Sequence, residues 1–205
     1  MNKICLLNGS LRGKRSSSLQ LLDRVSADMG SGGFQVERLT VSAARNGRGP
    51  KMLAVMADAD ALVMAFPLFN YTLHGALTRL LEDFESTLRN GERGKERVKV
   101  YAIVNCGFPE PRINQEAIRV IRNFCARVGL DYRFSIAVGS GPVTVMTMKV
   151  PFLNAGLKRA FRCMVNDMKT DAAEPREDLF IVPAVPKSII LKMKDHFEAR
   201  IEALR

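Results

Sequence analysis

Ser10, Arg12, Ser16, Ser17 and Ser18 fall within nine residues of one another. They lie between an apolar run, Ile4 to Leu7, that stops at Asn8-Gly9, and a segment in which Leu19, Leu22, Val25 and Met29 recur at helical spacing. Hydroxyls, a guanidinium and the unpaired N–H groups of a helix start are the groups that hold a phosphate. A helix N-terminus already favours negative charge through those N–H groups and its dipole. The same residues also make a serine-capped helix behind a flexible turn, because serine is a favoured N-cap. On residue types alone both readings stand. Two other phosphate cradles are excluded by spacing. A P-loop has a longer gap between its glycines and closes on Lys followed by Ser or Thr, whereas only Ser10, Leu11 and Arg12 separate Gly9 from Gly13, and Lys14 is followed by Arg15. The glycine pattern of the dinucleotide fingerprint is absent as well.

Two further stretches suit a flat ring. Leu68, Phe69 and Phe108 offer apolar faces, and Asn70 offers an amide to a polar edge. Pro67 fixes its own φ and so shapes its loop, while Gly107 lets the backbone approach a ring with no side chain in the way. The plain alternatives are core aromatics for Phe69 and Phe108, a turn role for Asn70, and a small buried residue at Cys106. Standing at a strand's carboxyl end, the Cys106 loop is expected to leave its thiol within reach of solvent, with Cys5 inside its strand and Cys125 and Cys163 on the apolar faces of their helices, slow to react. The four cysteines are far apart and form no C-x-x-C pair, and His74 and His196 are the only histidines. That composition supports neither a disulfide framework nor a protein-built metal site. His74, beside Gly75 at a helix start, reads as a capping or surface residue, and no side chain is assigned as a chemical catalyst.

The elements that must position these loops follow from periodicity. Apolar runs at Ile4–Leu7, Phe34–Val41, Ala61–Phe66, Val98–Val104 and Tyr132–Val138 read as five strands. Imperfect alternation in Phe34–Val41 places it near a sheet edge, and the continuous run Ala61–Phe66 suits a strand covered on both faces. Helical stripes run through Ala76 to Leu88, Ala117 to Val128 and Leu157 to Met168, with a short helix at Lys51–Ala57. Ser42–Pro50 reads as loop, Asp171–Asp178 as a polar linker, Phe180–Pro186 as a Pro-rich connection, and Ile190 to Leu204 as a last amphipathic helix. Alternating strands and crossover helices imply a parallel sheet with helices on both faces. Ligands of such sheets bind outside the strands' carboxyl ends, where the three loops fall. The expected organisation is one α/β domain over 1–205, its core in 1–141, with residues 142–205 adding a last core helix and a helical C-terminal extension.

Lysine and arginine number 31 against 21 acids, a formal net charge of +10. The cations are scattered and not interleaved with aromatics in the manner of single-strand binders, so nucleic acid is not an expected partner. No apolar run approaches the roughly 18 residues of a membrane span. The expectation is a soluble, cytoplasmic protein.

With those residues in view, a family resemblance can be stated. Gly9-Ser-Leu-Arg-x-x-x-Ser-x-Ser after the first strand resembles the phosphate loop of the NADPH-dependent FMN reductase group, within the flavodoxin-like superfamily. Phe66-Pro-Leu-Phe-Asn-Tyr-Thr-Leu is similar to that group's second flavin loop, and Val104-Asn-Cys-Gly-Phe to its third. The resemblance covers roughly Met1 to Gly141, and His74 stands where many relatives have Pro. It implies a three-layer flavodoxin-like fold with a five-stranded sheet in order 2-1-3-4-5. FMN would lie across the carboxyl edge, held by Ser10, Arg12, Ser16, Ser17, Ser18, Pro67, Leu68, Phe69, Asn70, Cys106, Gly107 and Phe108. It further implies NADH or NADPH as co-substrate, a quinone, azo, nitro or flavin acceptor, and often a homodimer. A flavodoxin-like electron carrier without its own substrate turnover is the alternative, made less apt by the basic charge.

Overall fold

Strand and helix alternate in the computed structural model, which describes residues 2–30, 33–91, 98–150, 152–170, 176–186 and 188. The order is β1 (Asn2–Asn8), α1 (Ser17–Met29), β2 (Phe34–Thr40), α2 (Val41–Ala43), α3 (Gly49–Ala57), β3 (Ala61–Pro67), α4 (Gly75–Arg89), β4 (Lys99–Asn105), α5 (Gln115–Val128), β5 (Asp131–Val138), α6 (Gly141–Thr147), α7 (Ala155–Lys169) and β6 (Leu179–Ile181). All strand pairs are parallel, in the order β2-β1-β3-β4-β5-β6. Successive strand residues face opposite sides, which is why the central strands are apolar throughout. Cys5, Leu7, Leu62, Met64 and Phe66 pack with α3, α4 and α5 on one side. Ile4, Leu6, Ala61, Val63 and Ala65 pack with α1 and α7 on the other. Each Val, Leu, Ile, Met or Phe among them taken from water contributes roughly 1.5–3 kcal/mol.

The sheet has six strands where the sequence suggested five. Leu179–Ile181, read as part of a Pro-rich connection, pairs with β5. Its alternation is real: Leu179 and Ile181 pack on the α1/α7 side and Phe180 on the other. Three residues are too short a run to announce a strand by pattern. A charged neighbour docks it, since the Asp178 carboxylate accepts from the Ser135 N–H at 2.7 Å and from the Tyr132 hydroxyl. With β6 beside it, β5 is interior, and Arg133 to Val138 are all buried instead of alternating. Edge position for β2 holds.

One other reading changes, and one helix is added. Ser42–Pro50 is mostly helical: α2 runs through a wide π-type turn, Ala44–Arg48, into α3. Pro50 sits in the first turn of α3, where its missing N–H has no helical partner to lose. The chain past Gly139-Ser140 also forms a short helix, α6, opening on Gly141-Pro142. The expected helix over Ile190 to Leu204 lies outside the described residues. No helix among the described residues is long and apolar enough to cross a membrane.

Arg133 supplies the core's one large charged surprise. It is the extra residue of a bulge opposite Val100 and Tyr101, and it is 1% exposed. Its guanidinium donates to both oxygens of Asp167 on α7, at 3.0 and 3.2 Å, and the Tyr101 hydroxyl adds a third bond at 2.7 Å. Burial by itself would raise the Asp167 carboxyl; the bonds from Arg133 and Tyr101 outweigh it and hold the group below the usual carboxylate range. Burial and the same carboxylate push the Tyr101 phenol up.

Candidate site at the carboxyl edge of the sheet

The loop after β1 is built around Asn8. Its Oδ1 accepts from the Ser10 N–H at 3.1 Å and the Ser16 hydroxyl at 3.4 Å, and its Nδ2 donates to the Gly13 carbonyl at 3.3 Å. Gly13, at φ 53°, takes the left-handed turn that the loop needs. Ser16 is the N-cap of α1: its Oγ accepts from the Leu19 N–H at 3.1 Å and donates to Gly13 at 2.8 Å. Ser10 Oγ accepts from the Arg12 N–H at 3.3 Å, and Ser18 Oγ accepts from Asn105 at 2.9 Å. The capping reading of the serine run is realised at Ser16. Ser10, Ser16 and Ser18 are buried and use their hydroxyls inside the protein. Ser17 is half-buried, and Arg12, Lys14 and Arg15 are exposed.

The loop after β3 is a two-residue hairpin. Phe69 and Thr72 exchange backbone hydrogen bonds at 2.9 Å, and Asn70 and Tyr71 both have positive φ, 45° and 64°. That is the type I′ turn, which Asn adopts readily and Tyr rarely. It turns Phe69 and Tyr71 outward, 56% and 64% exposed, so Phe69 is not a core aromatic. The Leu68 N–H donates to the Asn105 carbonyl at 2.8 Å and ties this loop to the end of β4.

The loop after β4 interlocks with the one after β5. Cys106 N–H donates to Val138, Ser140 N–H to Phe108 and Gly141 N–H to Cys106, at 2.7–3.0 Å. Phe108 is exposed, and a Cβ built on Gly107 would meet nothing within 4 Å. The chain's own packing therefore does not require glycine at 107. The Cys106 thiol departs from expectation. It is 5% exposed and surrounded by the carbonyls of Phe108 and Val138 and the amide of Asn114. Burial pushes it up despite those hydrogen bonds. Cys163, expected on the apolar face of its helix, packs against the core and is partly buried.

The expected site residues thus share one edge, with Ser10, Ser16, Ser18 and Cys106 turned inward and Arg12, Phe69, Asn70, Gly107 and Phe108 turned outward. Pro67 and Leu68 are half-buried between them. His74, expected as a capping or surface residue, is the side-chain cap of α4. Asn8 and Asn105, which organise these loops, were not expected to do so, although each is the polar residue that ends an apolar run within two residues of a glycine.

Arg12, Lys14 and Arg15 form no ion pair with a described residue, as is also true of Lys51, Lys158, Arg159 and Arg162 on other elements, whereas Lys3, Arg24, Arg38, Arg79, Arg89, Arg119, Arg122 and Arg127 are paired. The first turn of α1 carries no acid. Three uncompensated cations therefore stand beside the positive end of a helix dipole, an arrangement that an anion relieves. The exposed large apolar side chains favour the same edge: among the described residues only Val120 lies elsewhere, the others being Leu11, Phe69, Tyr71, Phe108, Met146, Phe152 and Val182. Clefts of about 350 and 440 Å³ lie between α4 and α5 and beside α5 and Phe180, along the helices and not on the loops described above.

No family model matches the sequence, and no curated protein matches it. Solved structures do match the fold. An apo NADH:FMN oxidoreductase superposes with a TM-score of 0.63 at 16% identity, covering 85% of this chain and 92% of that one. A flavone reductase gives 0.62 at 14%, covering 85% of this chain and 66% of its own. An NAD(P)H:quinone oxidoreductase from Methanothermobacter marburgensis gives 0.57 at 13%, covering 80% and 96%. A WrbA-like flavodoxin from Agrobacterium tumefaciens gives 0.56 at 8%. The chain shares the flavodoxin-like fold of these structures.

Proposed function

We propose that this protein is an FMN-dependent oxidoreductase that takes reducing equivalents from NADH or NADPH and passes them to a small quinone, azo, nitro or flavin acceptor. One observation carries the reading: an uncompensated cationic helix start lies on the same sheet edge as two outward-facing aromatic loops. An anion-binding place beside a place for a flat ring suits a phosphate-bearing aromatic cofactor. The structural neighbours named for FMN and quinone reduction support it.

The residues present fit FMN. Arg12, Ser17 and the first N–H groups of α1 would hold the phosphate, with Ser10, Ser16 and Ser18 keeping the loop in shape around it. Pro67, Leu68, Phe69 and Asn70 would line one side of the ring and Cys106, Gly107 and Phe108 the other. FMN, when bound, supplies the redox chemistry, accepting hydride from the nicotinamide and releasing electrons to the acceptor. The chain's own contribution is orientation. Phe69 and Phe108 shield the ring from water, Gly107 admits it, and the free cations attract an anionic co-substrate.

The test is anaerobic. Protein reconstituted with FMN is mixed with NADH or NADPH, and the visible flavin absorbance is followed. Rapid bleaching, reversed by a quinone, is expected. Bound flavin that neither nucleotide bleaches would indicate the electron carrier, and failure to bind FMN would overturn the assignment.

A further inference from the structure

We propose that His74 is a positioning residue that locks the phosphate-side loop onto the ring-side loop, so that both ends of the cofactor are gripped by one rigid unit. The inference rests on the FMN reading above. His74 is 7% exposed and uses both ring nitrogens. Its Nδ1 accepts from the Leu77 N–H at 3.3 Å, which makes it the side-chain N-cap of α4. Its Nε2 donates to the carbonyl of Gly9, sixty-five residues earlier and the first residue of the other loop. The partners define the tautomer: a carbonyl needs the proton on Nε2, and an N–H needs the lone pair on Nδ1.

Gly9 is the right place for such a lock. Its N–H donates to the Ala65 carbonyl at 2.8 Å. A Cβ there would come within 2.9 Å of the Phe66 Cβ and 3.2 Å of a Leu77 methyl. The backbone is therefore pressed against β3 and α4 with its N–H and its carbonyl both held. From Ser10 onward the loop is internally braced by Asn8. Asn8 makes the loop a unit, and His74 docks that unit on the helix that follows the ring loop. An ordinary N-cap residue is too short to do this. Asn at position 74 would keep the cap and lose the reach to Gly9, whereas Gln has the length to donate to that carbonyl.

The test compares wild type, His74→Asn and His74→Gln by titration with FMN and with riboflavin. Hydrogen exchange of the peptide spanning residues 9–16 is measured in the cofactor-free proteins. The ratio of FMN to riboflavin affinity is expected to fall about five- to tenfold in His74→Asn, the scale of one lost hydrogen bond, and to recover in His74→Gln. Exchange in that peptide should quicken in His74→Asn alone. An unchanged ratio with unchanged exchange would overturn the proposal and leave His74 as a helix cap. If wild type bound neither flavin, the FMN reading would fall, and the exchange result by itself would decide whether the lock exists.

Discussion

The carboxamide of Asn105, the last residue of β4, donates to the Ser18 hydroxyl in the first turn of α1 at 2.9 Å. The same Nδ2 donates to the Phe66 carbonyl at 3.0 Å, so one side chain joins β3, β4 and α1 at the carboxyl edge. Replacing Asn105 with Ala removes both of these buried bonds at once, at a cost of about 1–3 kcal/mol. Ser18→Ala leaves Asn105 its bond to Phe66 and should cost about 1 kcal/mol or less. Urea unfolding midpoints should rank the variants in that order, and equal losses would deny Asn105 its joining role.

Arg12 and Ser16 should separate binding from folding. Arg12→Ala removes an exposed cation with no internal partner, so it should weaken FMN by about tenfold, the worth of a charge-assisted bond, and leave riboflavin affinity and stability nearly unchanged. Ser16→Ala removes the α1 cap and should cost about 1 kcal/mol in unfolding. The FMN association rate in stopped flow should fall as salt is added, because exposed cations are screened. A flat salt profile would leave the Arg12–Arg15 charges without a part in capture.

Two glycines should behave oppositely. Gly139 has the Pro109 carbonyl oxygen only 2.6 Å from where a Cβ would sit, and a Val182 methyl at 3.0 Å. Gly139→Ala should therefore destabilise the protein by about 1–3 kcal/mol, as overpacking does. Gly107→Val meets open space. Its thermal midpoint should match wild type while FMN binding is lost, and retained FMN affinity would place the ring elsewhere.

Asp167→Asn removes the carboxylate that accepts two bonds from the buried Arg133 guanidinium and leaves it Asp131 at 3.6 Å, and a loss of about 1.5–3 kcal/mol is expected. The pH dependence has a definite sign. Because Asp167 is held below its ordinary value when folded, its contribution is fully present above the unfolded carboxylate value of about 3.9 and is lost as pH falls through the lowered folded value. The stability gap between wild type and variant, read from urea titrations, should stay constant near neutrality and shrink in acid. A gap that widened in acid would contradict the assignment.

Thiol labelling of the cofactor-free protein should modify Cys163 first. Burial pushes Cys5 and Cys125 up to about 12 and raises Cys106 as well, and reactivity follows thiolate character and exposure. Peptide mapping that found Cys106 labelled ahead of Cys163 would show that its loop opens in solution.

Local properties of the chain were legible without a structure. Apolar runs long enough to be covered on both faces marked β1, β3 and β4, and 3.6-residue stripes marked α1, α4, α5 and α7. Their alternation dictated a parallel sheet and, with it, the edge on which Ser10–Ser18, Pro67–Asn70 and Cys106–Phe108 meet. The tertiary structure decided what no window of sequence contains. Whether Ser18 points its hydroxyl at solvent or at the protein depends on Asn105, eighty-seven residues away, and what His74 does with its second nitrogen depends on Gly9. Leu179–Ile181 became a strand because β5 offered an unpaired edge and Asp178 an anchor beside it. Arg133 could be buried because Asp167, on another element, met its charge. Periodicity reports which face of an element is apolar; hydrogen bonds and ion pairs between distant residues are settled only when those faces come together.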